Sequence, residues 1–299
     1  MVMTIKKDKT YFLSGATGTE IQRRGFKTTL PLWSAKVLFE KPELLVDIYR
    51  DYIRAGADIL TTNTFRTQRR NLAKAGLEPE IVRINKLATE LAVRARESEP
   101  VGREIFIAGS MAPLEDCYRP DLVPTDAECV AEHAEQAAIL ADTPIDFFML
   151  ETFNTIREAE AAAKGVVATG KPFWVSFTTR ADGVILSGES WEEAIERLSQ
   201  FSPQAILVNC VPPEVATRAL DLIIPTVKKH DFMFGAYANG AGVAGSAEGW
   251  DFKSQGSAID TYVHECKTWR AKGALIIGGC CGTTPEYTTS YSRIREGGD

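Results

Sequence analysis

Asp146-Phe147-Phe148-Met149-Leu150 is a short stretch in which every position after the aspartate is apolar, the pattern of a buried strand. Seven further runs of this kind recur along the chain: Tyr11-Phe12-Leu13, Asp58-Ile59-Leu60-Thr61, Glu104-Ile105-Phe106-Ile107, Pro172-Phe173-Trp174-Val175-Ser176-Phe177, Ala205-Ile206-Leu207-Val208, Phe232-Met233-Phe234 and Ala274-Leu275-Ile276-Ile277. Between them, apolar residues fall at the spacing of one helix face: Leu45, Ile48, Tyr49 and Tyr52; Ile84, Leu87, Ala88 and Leu91; Trp191, Ala194, Ile195 and Leu198; Ile259, Tyr262, Val263 and Cys266. About eight alternating strand–helix units predict the α/β class and a (β/α)8 TIM barrel, read as one domain over residues 1–299. A doubly wound open sheet would carry a G-x-G-x-x-G turn after its first strand, and this chain has none.

The 299 residues are 44% apolar and 25% charged, with a formal charge of -6 and both signs interspersed. That balance argues against a nucleic-acid surface or a basic membrane anchor and in favour of small-molecule partners. Residues 1–10 carry lysines but no apolar run of signal-peptide length, and no later stretch approaches the roughly 20 apolar residues of a membrane span. A cytoplasmic location is therefore expected, and there the six cysteines are better read as thiols or metal ligands than as disulfides.

Barrel chemistry belongs at the C-terminal ends of the strands. Cys210 follows the sixth run, and Cys280 and Cys281 follow the eighth through Gly278-Gly279. Adjacent side chains on a regular strand point to opposite faces, so Cys280 and Cys281 can share one metal only where the backbone turns. Gly278, Gly279 and Gly282 permit such a turn. Three thiolates would leave one position of a tetrahedral zinc open for substrate. His133 and His264 fall within helical patterns and His230 precedes a strand, so no histidine reaches this rim. Three buried core cysteines would give the same pattern, and spacing alone does not choose. Cys129 and Cys266 lie on helices and read as packing residues, and Cys117, in the loop after the third strand, lacks a partner.

The sequence resembles the homocysteine S-methyltransferase family over nearly its whole length. The most specific piece is Gly278-Gly279-Cys280-Cys281-Gly282-Thr283-Thr284-Pro285, with Asn209-Cys210 resembling the site of the third cysteine. Gly15-Ala16-Thr17-Gly18-Thr19-Glu20, Pro31-Leu32-Trp33-Ser34-Ala35, Ala55-Gly56-Ala57-Asp58, Thr62-Asn63-Thr64-Phe65, Gly109-Ser110 and Glu151-Thr152 follow in order, and Trp33-Ser34-Ala35 is most like the S-methylmethionine-using branch. The resemblance implies a (β/α)8 barrel and a zinc ion on Cys210, Cys280 and Cys281. It implies Asn239 as a resting fourth ligand and Glu151 as the group holding the substrate ammonium. Ser14, Gly15, Ala16, Thr62 and Ser110 are implied to bind the substrate. The reaction implied is transfer of a methyl group from a sulfonium or betaine-like donor to a thiol, giving methionine from homocysteine.

Two positions depart from the family pattern. Ser14 stands where an aspartate is usual, and a neutral hydroxyl holds an ammonium less strongly than a carboxylate does. Arg66 stands where aromatic residues or glutamine are commoner, and a cation there would favour a carboxylate contact on donor or acceptor. Both changes point to an alternative acceptor, a thiol lacking the amino group. A non-catalytic barrel acting as a binding protein is the reading from another class, and zinc-assisted hydrolysis is the rival chemistry. The glycine-rich segment from Gly240 to Gly256 is expected on the same rim, as part of a lid or as a contact between copies in a homo-oligomer.

Overall fold

The eight apolar runs become the staves of a closed parallel barrel in the computed structural model, which describes residues 6–244, 250–253 and 256–296. They are β1 (Tyr11–Phe12), β2 (Ile59–Thr61), β3 (Phe106–Met111), β4 (Phe147–Phe153), β5 (Phe173–Phe177), β6 (Ala205–Asn209) and β7 (Met233–Ala238), with β10 (Ile276–Gly279) last. The hydrogen-bonded order is β1-β10-β7-β6-β5-β4-β3-β2, every pairing parallel. A parallel bridge between Leu13 and Ile59 joins the two ends of that order and closes the ring.

Period-two alternation sorts each stave between two cores. Tyr11, Leu13, Ile59, Phe106, Phe147, Met149, Trp174, Leu207 and Ile276 fill the barrel interior. Their neighbours Phe12, Leu60, Ile107, Phe148, Leu150, Val175, Ile206 and Ile277 face outward and pack under the helices. Both faces are dry, which is why the runs are continuous rather than alternating. The strands β3, β4 and β7 continue past the apolar runs because residues beyond them still pair with a neighbouring strand: Ala108 to Met111, Phe153, and Gly235 to Tyr237.

The helices that cover the barrel are α1 (Thr17–Arg23), α2 (Val37–Glu40), α3 (Glu43–Arg54), α4 (Arg69–Lys74), α5 (Ile81–Ser98), α6 (Asp126–Ala141), α7 (Ile156–Val167), α8 (Trp191–Ser199), α9 (Pro213–Lys229), α10 (Gly256–Ala271) and α11 (Pro285–Ser292). The four helix faces expected from spacing lie within α3, α5, α8 and α10, and their apolar positions are mostly buried. Within the segment from Gly240 to Gly256, expected as part of a lid or as a contact between copies, β8 (Gly242–Ala244) and β9 (Trp250–Phe252) pair antiparallel; residues 245–249 and 254–255 lie outside the described residues. No helix among the described residues is long and apolar enough to cross a membrane.

At the closed end, Asp58 is fully buried beside the β1–β2 seam. Its Oδ2 accepts from the Phe12 N–H at 3.0 Å and from Arg295 at 2.7 Å, while Arg103 lies 3.7 Å from Oδ1. An uncompensated loss here leaves the Phe12 N–H without its acceptor and Arg103 and Arg295 with carbonyl partners only, so Asp58→Ala is expected to destabilise the fold by about 2 to 3 kcal/mol. Urea unfolding measures this; a loss below about 0.5 kcal/mol, the scale of an ordinary surface change, would show that the seam does not depend on the carboxylate.

Candidate metal centre and substrate cavity

At the open end of the barrel, left-handed backbone at Cys210 and at Gly282 accompanies the convergence of three cysteine side chains that follow β6 and β10. Cys210 follows β6 with φ 58°. Cys280 and Cys281 leave β10 in a turn, in which Gly282 has φ 78° and the Thr283 N–H and hydroxyl both reach back to the Cys280 carbonyl. The turn that adjacent cysteines require is therefore present. Of the three flanking glycines, only Gly282 supplies a positive φ. Gly279 serves by lacking a Cβ, which would come within 2.3 Å of the Thr283 hydroxyl.

The three Sγ atoms lie within 4.8 Å of one another, and Cys210 and Cys281 are 3.9 Å apart. Two sulfurs on a tetrahedral ion with Zn–S bonds of about 2.3 Å stand roughly 3.8 Å apart, so the spacing fits such an ion closely. Among the described residues this is the one group of three potential ligands drawn so close. The buried Oδ1 of Asn239 has no hydrogen-bond partner among the described residues and belongs to a side chain that bonds Cys210, as a spare oxygen ligand would. Soft thiolates with one remaining position suit zinc. Hydrogen bonds from Cys280 and Cys281, and from Tyr118 and Asn239, hold the Cys210 thiol well below its usual range, whereas its partners are pushed well above theirs. Of the three thiols, Cys210 is thus the one most readily ionised.

The sulfurs open into a cavity of about 410 Å³ that Ser14, Gly15, Ala16, Thr62, Arg66 and Glu151 also line. The volume is that of a small-molecule site. Glu151 owes its position to an irregularity in β4: the register with β5 shifts between Leu150 and Phe153, and Thr152 has φ 64°. A β-branched residue in that region is strained, and Asn209 holds it there. The Thr152 N–H donates to Asn209 Oδ1 at 3.1 Å, and Asn209 Nδ2 donates to Thr152 Oγ1 at 2.7 Å. Burial pushes the Glu151 carboxyl up to about 7, against hydrogen bonds from Ser110 and Tyr237 that favour its charged form.

Ser110 itself does not line the cavity; its hydroxyl donates to Glu151, and its N–H donates to Thr62 Oγ1 at 3.0 Å. Ser14 is 3% exposed, and its hydroxyl has no partner among the described residues, leaving one free hydrogen-bonding group on the wall. His133, His230 and His264 stay off the cavity, as their sequence positions imply. Cys129 and Cys266 are buried in packing contacts.

Two lining residues, Tyr118 and Tyr237, have no signature in the sequence. The Tyr118 hydroxyl lies 2.9 Å from Cys210 Sγ, and Tyr237 reaches Glu151 at 3.4 Å. Cys117, set aside as a lone loop thiol, is buried in the cavity wall, and burial pushes its thiol up. Trp33, Phe65 and Trp250 supply an aromatic wall, with Trp33 and Phe65 in an edge-to-face contact at 6.2 Å. Trp250 belongs to the hairpin, which places the glycine-rich segment at the cavity.

Comparison with known proteins agrees with this geometry. The profile of the family described as homocysteine S-methyltransferase matches residues 11–294. The chain is 31% identical to a homocysteine S-methyltransferase of Escherichia coli, with 94% of each covered. It is 28% identical to a selenocysteine methyltransferase of Astragalus bisulcatus, covering 96% of this chain and 92% of that one. The metallated form of the homocysteine methyltransferase MmuM from Escherichia coli superposes with a TM-score of 0.82 at 29% identity over 96% of both chains. A family match over almost the whole barrel, with cysteines gathered at its catalytic end, means that this chain belongs to the homocysteine S-methyltransferase family and is an S-methyltransferase.

Proposed function

We propose that this chain transfers a methyl group from a small sulfonium donor, S-methylmethionine first among them, to the thiol of homocysteine, with Cys210, Cys280 and Cys281 holding a zinc ion. The observation that carries the reading is the 3.9 Å spacing within a three-sulfur cluster that opens onto a cavity of amino-acid size. When bound there, zinc lowers the pKa of an acceptor thiol that joins the three sulfurs and keeps it nucleophilic at neutral pH.

The chain's own groups do the rest. Glu151 faces the cavity where an ammonium would lie, and Ser110 and Tyr237 orient its two oxygens. Ser14, Gly15, Ala16 and Thr62 line the wall around it, and Asn239 is the resting partner that an incoming thiol displaces. Tyr118 donates toward Cys210 and shields that sulfur from bulk water. In the transfer, the donor's S–C bond breaks and its electron pair stays on the donor sulfur. The new S–C bond forms on the acceptor, with the reacting atoms aligned at about 3 to 3.5 Å. The acceptor thiol would release its proton to solvent on binding, before the methyl transfer, so the transfer step itself needs no side-chain base.

The family relatives are named for homocysteine and for selenocysteine, both of which carry an amino group. That favours Glu151 as an ammonium site even though Ser14 supplies no charge, and it makes an acceptor without an amino group the second reading.

Two outcomes are expected. Protein purified under reducing conditions carries about one zinc per chain by mass-spectrometric metal analysis. Cys280→Ala loses the ion and at least 1,000-fold in methyl transfer, while Cys129→Ser keeps both; a metal-free but active Cys280→Ala would sink the reading. The second concerns pH. A carboxyl titrating near 7 is neutral below that value and cannot pair with an ammonium, so affinity for homocysteine falls as pH drops from 8 to 6. Mercaptopropionate shares the thiol chemistry but lacks the amino group, so calorimetry should show the ratio of the two affinities shrinking over that range; a constant ratio would remove Glu151 from ammonium binding.

A further inference from the structure

Arg66 is the one guanidinium among the residues lining the cavity, and among the described residues it makes neither an ion pair nor a hydrogen bond. Its neighbours are treated differently. Arg69 pairs with Glu78 and Glu135, and Arg70 with Glu115, Glu128 and Glu132. Three residues along the chain, every cation is neutralised, yet the half-buried one facing the cavity is left open. Asp116 lines the same cavity without pairing to it. Burial and Cys210 raise the Cys117 thiol while Arg66 opposes them, which sets the guanidinium near that wall residue.

The wall beside Arg66 is aromatic. Phe65 precedes it, Trp33 meets Phe65 edge to face, and Trp250 and Tyr118 continue the surface. Aromatic faces attract onium groups. A sulfonium with no anion of its own would meet that wall and be repelled by Arg66, whereas one with a carboxylate a few bonds away satisfies both. The half-buried Glu151 and the buried Ser14 and Thr62 line the same cavity and are the polar groups assigned above to the acceptor. Arg66 stands near Cys117, whose chain neighbours Asp116 and Tyr118 in the loop after β3 are exposed, so this part of the wall is open to solvent and to a second substrate.

Building on the methyl-transfer function above, we propose that Arg66 is the specificity-determining anchor for the donor's carboxylate, so that the donor class is a sulfonium carrying its own carboxylate. The sulfonium rests on the aromatic wall of Trp33, Phe65 and Trp250, and the guanidinium takes the carboxylate through charge-assisted hydrogen bonds.

Calorimetric binding tests this with three probes: S-methylmethionine, 3-(dimethylsulfonio)propionate and the carboxylate-free (3-hydroxypropyl)dimethylsulfonium. The two carboxylates are expected to bind wild type roughly 10- to 100-fold more tightly than the alcohol. Arg66→Gln abolishes that difference, Arg66→Lys restores part of it, and homocysteine binds all three proteins within about twofold, with unchanged melting because Arg66 holds no partner. The proposal is overturned if neither carboxylate binds wild type, if the alcohol binds as tightly, or if Arg66→Gln weakens homocysteine in place of the donors. A methyl-transfer assay on wild type separates this from the broader reading. No transfer from any sulfonium to any thiol removes the proposed function itself, whereas transfer with an unchanged donor kcat/KM in Arg66→Gln removes only the role of Arg66.

Discussion

A strand presents alternate residues to alternate faces, and everything at the open end of this barrel depends on breaking that rule in chosen places. While the alternation holds, it divides each stave between an inner and an outer core, and there is no room for chemistry. At Thr152, Cys210 and Gly282 the backbone passes into the left-handed region. Each break re-aims a functional group: Glu151 toward the cavity, Cys210 toward β10, and the paired cysteines toward Cys210. The two non-glycine residues in this set carry strain that glycine would avoid. At Thr152 the compensation is visible, since Asn209 bonds it twice and also accepts from the Ser176 hydroxyl at 3.0 Å.

That arrangement explains what could be read from the sequence and what could not. The staves were legible because both faces are dry, which writes an uninterrupted apolar run, and the helix faces were legible through their spacing. Cys210, Cys280 and Cys281 stood out because the barrel's geometry assigns strand ends to one rim. Their convergence was not legible, since it rests on a positive φ at Cys210 that no local pattern announces. Tyr118, Tyr237 and Ser176 were missed for a related reason: each acts through a partner 61 to 92 residues away, and a hydroxyl in a loop or strand gives no sign of what it will bond. Ser110 was found by family likeness but acts on Glu151 rather than on the cavity directly.

The electrostatics of the rim are consistent with a site that waits for a ligand. Glu151 is half-buried with its carboxyl raised, the Ser14 hydroxyl and Asn239 Oδ1 are buried without partners among the described residues, and the Cys210 thiol is held below its usual range. Each is costly in an empty pocket and is relieved by a ligand of the matching kind. The fold offsets that cost elsewhere, through two dry cores and a neutralised acid at the closed end.

One further consequence follows from where the cysteines stand in the barrel order. β7 lies between β6 and β10, and it is stitched to both ligand-bearing ends: Cys210 donates to the Tyr237 carbonyl at 3.3 Å, and Cys280 donates to the Ala238 carbonyl at 2.7 Å. Beyond the strand, Asn239 donates to Val211 and Gly240 donates to Cys281, both at 2.8 Å. An ion held by these sulfurs would straddle a stave that contributes none of the three, like a rivet through the two boards on either side of it. Its coordination and the integrity of that side of the barrel therefore share the same four hydrogen bonds, and breathing of β7 alone is enough to disturb the ligand set without touching a cysteine.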